Sequence, residues 1–335
     1  MSKIFIPEGY VGVLTPYETQ RAIGIVKKEF GIRLENTLNL SRVSAPLIVE
    51  SHTGLNDDLN GIERPVEFDI AETNSNVQIV HSLAKWKRMA LHKYEFPVGE
   101  GLYADMNAIR RDDEIDNIHS IYVDQWDWER IIRPEDRNLD FLKETVNKIV
   151  AVICETQEVL KEEFPILKTQ LKKEVSFITT QELEDLYPSL TPKQRENEYL
   201  RVNRTACIMQ IGDILKSGDK HDGRAPDYDD WKLNCDILFW NDALQCALEV
   251  SSMGIRVDSK SLDEQLSKAN CNERRQLVFH KMLLNNELPL TIGGGIGQSR
   301  ICVLLLEKVH IGEVQVSIWD SSTEELCKKA RINLL

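Results

Sequence analysis

Thr291-Ile292-Gly293-Gly294-Gly295-Ile296-Gly297-Gln298-Ser299-Arg300 runs straight into the apolar stretch Ile301-Cys302-Val303-Leu304-Leu305-Leu306. The glycines let bare backbone come close to a flat ligand. A lone arginine then opens an apolar helix, where its guanidinium can fork onto phosphate oxygens. Two familiar phosphate-binding patterns do not fit. No Gly-Lys-Ser/Thr follows, as a P-loop requires. Counted from Gly293 or Gly295, the third glycine of a dinucleotide-binding fingerprint is replaced by Gln298 or Arg300.

Working outward, hydrophobic spacing predicts helices over 17–34, 139–164, 192–210, 260–285 and 298–308. Extended segments are expected at 40–50, 76–81, 117–128, 174–179, 234–241 and 243–251. Ser82 is the expected N-cap of a helix opening at His81-Ser82-Leu83-Ala84-Lys85-Trp86-Lys87-Arg88. Strands and helices interleave without a βαβ rhythm, which predicts an α+β fold with a mostly antiparallel sheet flanked by helices. No repeat, low-complexity tract or linker divides residues 1–335, so a single catalytic domain is expected.

Two further constellations carry chemistry. Ala108-Ile109-Arg110 ends a strand, and Tyr122-Val123-Asp124-Gln125-Trp126-Asp127-Trp128-Glu129 returns. Period two puts Gln125, Asp127 and Glu129 on one face and Trp126 and Trp128 on the other. Either the polar face is a site or the pair is a surface hairpin. Further on, Asp236 and Glu249 interrupt apolar strand sequence. Buried carboxylates are costly unless paired or bound to a cation. They are either a Mg²⁺ site shared with nucleotide phosphates or edge carboxylates facing water. Period two places Ser251 on the face of Glu249, ahead of an expected turn through Gly254 to Arg256.

Composition sets bounds. The chain carries 41 Lys and Arg against 54 Asp and Glu, a net charge of −13. That argues against a nucleic-acid partner, which needs clustered cations, but leaves room for a small anion in a local basic pocket. The 7 cysteines form no CxxC pair and read as reduced thiols. Met1-Ser2-Lys3-Ile4-Phe5-Ile6-Pro7 has no signal-peptide core, and no apolar run is long enough for a membrane span. A cytoplasmic enzyme without a membrane partner is expected. His81, His119 and His221 show no metal-ligand spacing. The mixed charge run from Lys216 to Arg224 is a candidate lid.

The glycine-rich strand with Arg300 resembles motif 3 of the class II aminoacyl-tRNA synthetase core. The Arg110 strand, loop and return resemble motif 2. The 17–34 helix and the extended segment containing Pro46 resemble motif 1, whose usual role is a dimer interface. Longer blocks are more specific. His81 to Arg88, Gly99-Glu100-Gly101-Leu102-Tyr103, Tyr122 to Glu129, Arg224-Ala225-Pro226-Asp227-Tyr228-Asp229-Asp230-Trp231, Glu249 to Arg256 and Gly293 to Arg300 resemble the ammonia-dependent aspartate–ammonia ligase family, asparagine synthetase A. The likeness runs over about residues 15–320.

The resemblance implies asparagine synthesis from L-aspartate, ammonia and ATP through β-aspartyl-AMP, in a homodimer. It implies that Arg110 and Arg300 hold the nucleotide, with Arg300 near adenine and with Gly295, Gly297, Asp229, Glu249 and Ser251 on the same side. Asp236 and Glu249 would bind Mg²⁺. Asp57 would pair with the substrate ammonium, the neighbouring Asp58 being the alternative. Ser82, Lys87, Gln125 and Arg256 would complete the aspartate pocket, and Asp127 would lie near the adenylate. The alternative class is a synthetase paralogue that passes an aspartyl or asparaginyl adenylate to another acceptor. A catalytically dead paralogue would be expected to lose motif residues, and Arg110, Asp236, Glu249, Arg256 and Arg300 are all present.

Overall fold

A computed structural model describes residues 4–57 and 63–335. The first half holds α1 (Pro16–Leu38), β1 (Leu40–Arg42), β2 (Ile48–Glu50), β3 (Glu67–Ile70), β4 (Ser75–Ile79), α2 (Ala84–Lys93), β5 (Gly101–Ile109), β6 (Tyr122–Ile131) and α3 (Leu139–Glu163). There follow β7 (Ser176–Thr179), α4 (Thr180–Leu186), α5 (Pro192–Asn203), β8 (Thr205–Met209), β9 (Asp229–Asn241) and β10 (Cys246–Arg256). The last elements are α6 (Ser259–Lys268), α7 (Val278–Leu284), β11 (Thr291–Gly297), α8 (Gln298–Leu305) and α9 (Ser321–Lys329).

The main sheet has eight strands in the order β1-β5-β6-β11-β10-β9-β8-β7. Only the two edge pairs, β1 with β5 and β7 with β8, are parallel; the centre is antiparallel. This is the expected α+β architecture. A small sheet, β2-β4-β3, sits apart.

Local chemistry starts the two long helices. Thr15 accepts from the Glu18 amide while Glu18 returns the bond to the Thr15 amide, and Pro16 takes the first helical position of α1. Asn138 caps α3 through the Phe141 amide at 2.9 Å. Ala22, Val26, Phe30, Leu34 and Leu38 of α1 and Leu142, Val146, Ile149, Ile153 and Leu160 of α3 form apolar stripes buried in one core. Trp126 and Trp128 of β6 join it from the sheet, with the Phe30 ring 4.3 Å from Trp126. The opposite sheet face is covered at its ends and, over β5, β6 and β11, by α2. The small sheet packs over β5, and α4 and α5 pack over β8 and β9. The centre, where β6, β11, β10 and β9 lie side by side, carries the polar residues.

Several expected boundaries shift. The helix expected over 192–210 ends at Asn203; Arg204 follows at φ 66°, and Thr205–Met209 becomes a fully buried strand. A short apolar run buried on both faces has no periodicity to separate strand from helix. The 260–285 helix breaks at Asn270, whose φ of 57° ends the first piece. The strand expected from 117 begins only at Tyr122. The strand expected over 243–251 begins only at Cys246, after a turn, and takes in the expected turn at Gly254, running on to Arg256.

Replacing Phe30 with alanine should cost about 3–5 kcal/mol, because it empties space between α1 and Trp126 that neighbours fill only partly. Urea unfolding of the variant against the parent protein measures it.

Candidate active site

β11 is the floor of the site. Its register sets Gly293 opposite Glu129, Gly295 opposite Asp127 and Gly297 opposite Gln125 on β6. On the other side Gly293 faces Gly254 and Gly295 faces Ser252 of β10. Directly paired residues share a sheet face, so from Gly293 to Gly297 β11 presents no side chain on this face. Ile292 and Ile296 turn to the core with the two tryptophans. The glycines are required here. A Cβ on Gly293 would come 2.6 Å from Glu129 Oε2 and 2.8 Å from Arg256 Nη2, and one on Gly295 would overlap the Gln125 amide. The cleft above has a volume of about 440 Å³, and Arg110, Gln125, Tyr228, Glu249, Ser252 and Arg300 are among its lining residues.

Beside the cleft lies a buried ion network. Lys87 is fully buried and gives its three donors to Asp127 Oδ1, the Trp128 carbonyl at 2.8 Å and the Gly294 carbonyl at 3.2 Å. Arg256 donates through Nε and Nη2 to Glu129 Oε2, at 3.1 and 3.0 Å, and through Nη1 to Asp229. Thr291 Oγ1 donates to the other Glu129 oxygen at 2.7 Å. Burial pushes Lys87 below the usual lysine range despite Asp127. For Arg256 the same burial is outweighed by Glu129 and Asp229, which hold it above the usual arginine range. Asp57 and Ser82 form a pair nearby, Ser82 Oγ donating to Asp57 Oδ2 at 3.1 Å. Ser82 is not the N-cap of α2; Leu83 holds that position, and the Leu83 amide donates to Asp127 Oδ2 at 3.1 Å. Asp58 lies outside the described residues.

At the other end of the cleft, Arg110 Nη2 donates to the His81 carbonyl at 3.3 Å, while its buried Nε has no partner. Arg300 Nη1 donates to the Glu249 carbonyl at 3.1 Å and lies 3.6 Å from the Glu249 carboxylate. Asp236 accepts from Arg224 Nη2 at 2.7 Å. Burial pushes the Asp236 carboxyl up to about 7; Arg224 pulls it down and the negative charge of Glu249 adds to the rise.

The expected residues therefore fall into two joined groups. Arg110, Gln125, Glu249, Ser251, Gly295, Gly297 and Arg300 line the cleft itself. Lys87, Asp127, Arg256 and Asp229 form the buried network, and Asp229 sits on Arg256 rather than beside Arg300. Ser251 is placed differently from its expected face. An extra residue between Glu249 and Ser251 shifts the register, so Glu249 pairs with Leu238 while Ser251 pairs with Ile237 and Ile296 on the core side. Ser252, opposite Asp236, takes the in-phase position. Sequence reasoning also passed over Arg224, which bridges Asp236, Ser252 and Asp229. Its only signal was its place at the head of the Arg224–Trp231 block. The run from Lys216 to Arg224 is pinned at Ser217 by Glu184 and at His221 by Glu196, and its last three residues line the cleft.

The loop that delivers Tyr228 and Asp229 is anchored by Asp227, which is fully buried. Asp227 Oδ2 meets Lys85 at 3.3 Å, Arg274 at 2.9 Å and His280 at 2.9 Å. Burial alone would raise this carboxyl; Lys85, the His280 hydrogen bond and Arg274 outweigh it and hold it well below the usual range. Asp227→Asn should destabilise the protein by about 3–5 kcal/mol at pH 7, since it leaves buried cations unpaired. A depressed carboxyl contributes stability above its unfolded value, near pH 4, and loses it as pH falls further. The gap between parent and variant should therefore be full at pH 7 and shrink below about pH 4, measured by denaturant unfolding at both pH values.

Comparison with known proteins agrees with this geometry. The family profile described as aspartate–ammonia ligase matches residues 17–331. An aspartate–ammonia ligase of Clostridium tetani is 57% identical over 334 residues, 99% of this chain and 98% of the relative. One from Bacillus cytotoxicus is 56% identical over 325 residues, 97% of this chain and 99% of the relative. Among solved structures, the asparaginyl-tRNA synthetase of Entamoeba histolytica in complex with asparaginyl-adenylate superposes with a TM-score of 0.66 at 11% identity, over 90% of this chain and 66% of that one. That likeness fixes the fold as a class II aminoacyl-tRNA synthetase core, and the sequence relatives fix the family: the chain belongs to the aspartate–ammonia ligases.

Proposed function

We propose that the cleft makes L-asparagine from L-aspartate, ammonia and ATP in two steps. The β-carboxylate of aspartate attacks the α-phosphorus of ATP and releases pyrophosphate, leaving β-aspartyl-AMP. Ammonia then attacks the activated carbonyl; the new C–N bond replaces the C–O bond to AMP, and a proton is lost. The observation that supports this reading is Arg110, Arg300 and Glu249 lining one glycine-floored cleft, with Asp236 behind it on the lining residues Arg224 and Ser252, in a chain of this family.

The physical problem is anion meeting anion, and the site answers with fixed cations. Arg110, with its buried and unpartnered Nε, and Arg300 take the phosphates, Arg300 also lying toward adenine. Gly295 and Gly297 leave room for the nucleotide against the sheet. Asp57 and Ser82 receive the α-ammonium of aspartate. Gln125 and Arg256 hold its carboxylates. Lys87 acts with them from below, because its own donors are committed to Asp127 and two carbonyls. Asp127 stands by the adenylate. Asp229 orients Arg256, and Ser252 stands in for Ser251 on the nucleotide side.

Asp236 and Glu249 fit Mg²⁺, which takes one or two carboxylates and leaves its other positions to water and phosphate. They share a sheet face and repel one another, so a cation between them relieves a cost already present. When bound, the ion supplies charge neutralisation at the phosphates. Among the described residues no larger metal-ligating cluster exists, and no helix is long and apolar enough to cross a membrane. The enzyme works as a cytoplasmic homodimer, paired through α1, the edge strand β1 and the segment leading into β2, where Tyr17, Ile32 and Leu47 are exposed.

Purified protein given Mg-ATP and L-aspartate should form asparagine and AMP in equal amounts, and only with ammonium present. AMP or pyrophosphate exchange without asparagine would sink the reading. Arg300→Ala should lower adenylate formation at least about 100-fold with the fold intact; unchanged activity would remove Arg300 from the site.

A further inference from the structure

Gln315 lies past α8, in the segment that follows a short turn at Ile311–Glu313, and is buried. Its side-chain amide joins the two segments that carry Arg110 and Arg300. Ser120, at the end of the β5–β6 connection, donates to Gln315 Oε1 at 2.5 Å. Gln315 Nε2 donates to Ser299 Oγ at 3.0 Å and lies 3.5 Å from Asp124 Oδ1. Asp124 also accepts from the Ser299 amide at 3.0 Å and pairs with Lys27 at 3.2 Å. A carboxylate only accepts, so the amide nitrogen faces Asp124 and the oxygen faces Ser120. One neutral side chain thus ties together the motif 2 connection, its return strand and the first turn of α8.

We propose that Gln315 is a positioning residue for the nucleotide. It sets the separation between the Arg110 connection and the α8 turn that presents Arg300. The inference rests on the reading of Arg110 and Arg300 as phosphate-binding residues. Physical need and geometry coincide here. The connection from Arg110 to Ile121 contains no regular helix or strand. Its middle is held at Asn117, which bonds the Phe5 backbone at 2.7 Å and the Val309 carbonyl at 2.6 Å. Its end is held at Ser120. Two arginines that must meet one triphosphate lose effect if their separation wanders by an ångström. A clamp of this kind acts on the nucleotide and leaves the aspartate pocket, built on Asp57, Gln125 and Arg256, untouched.

The test is steady-state kinetics on the full chain for Gln315→Ala, Gln315→Glu, Ser299→Ala, the Gln315→Ala/Ser299→Ala double variant and Arg300→Ala. Gln315→Ala should raise the KM for ATP about tenfold and keep the KM for aspartate within about twofold. Gln315→Glu keeps the shape, loses both donors and sets a charge against Asp124; its effect should be at least as large. Ser299→Ala should raise the ATP KM less, and the double variant should be no worse than Gln315→Ala, because both changes break one clamp. Parent values for ATP in both Gln315 variants, or an equal rise in both KM values, overturn the proposal. So do additive effects in the double variant, which would mean that Gln315 touches the nucleotide itself. If Arg300→Ala retains the parent KM for ATP, the nucleotide reading fails regardless of Gln315. If Arg300→Ala is impaired and the Gln315 variants are not, only the clamp fails. Thermal unfolding of each variant shows that the fold is kept. Should Gln315→Ala not fold, Ser120→Ala and Ser299→Ala each remove one arm: a raised ATP KM in both supports the clamp, and in neither overturns it.

Discussion

The site depends on burying five charges against a strand that has no side chain on the facing side from Gly293 to Gly297. Lys87, Asp127, Glu129, Arg256 and Asp229 are all shielded from water and in mutual contact. Such a group is costly unless nearly every donor and acceptor is matched. Here the match depends on glycine. A side chain on Gly293 or Gly254 would displace the Glu129–Arg256–Asp229 bridge, since Cβ atoms there would come 2.6 Å and 2.7 Å from carboxylate oxygens. The glycine-rich strand is therefore as much a housing for ions as a bed for a ligand.

Charge balance divides the site into two working zones. The inner network has two cations against three carboxylates; Arg224, 3.7 Å from Asp229, adds a third cation, and its closer partner Asp236 a fourth carboxylate. The donors of Lys87 are thus spent on holding strands in register, while Arg256 keeps N–H donors beyond those given to Glu129 and Asp229. Arg110 and Arg300 are less committed: among the described residues one has an unpartnered Nε, and the other donates to the Glu249 carbonyl and lies 3.6 Å from the Glu249 carboxylate. A preorganised inner network with loosely committed cations outside it is the arrangement expected where charge must be met as it develops.

The parts legible in sequence were those that follow a strict period or a local rule. The alternation that set Gln125, Asp127 and Glu129 against Trp126 and Trp128 holds in the β6 register. The α1 and α3 stripes are buried as spaced. What escaped were events that break a period. An extra residue near Val250 moved Ser251 to the core side, and nothing in Glu249-Val250-Ser251-Ser252 announces a bulge. Thr205–Met209 is apolar throughout, so it read as a continuation of the preceding helix. Arg224 and Gln315 lie in loops, where partners are set by tertiary packing alone. Lys87 read as a substrate-facing cation, and only coordinates reveal that its three donors are already used.

The acidic surface and the arginines of the cleft are compatible because they act over different distances. A net charge of −13 is felt by a long polyanion, which must approach many surface charges at once. A nucleotide inside a cleft of about 440 Å³ responds mainly to groups within a few ångströms. Charges beyond about 8 Å are largely screened at physiological salt. Partly buried arginines at the cleft are screened far less, so Arg110 and Arg300 keep their pull while the surface charge fades. The synthetase-like core thus keeps local cations for a small anion in a chain whose overall field disfavours a long polyanion.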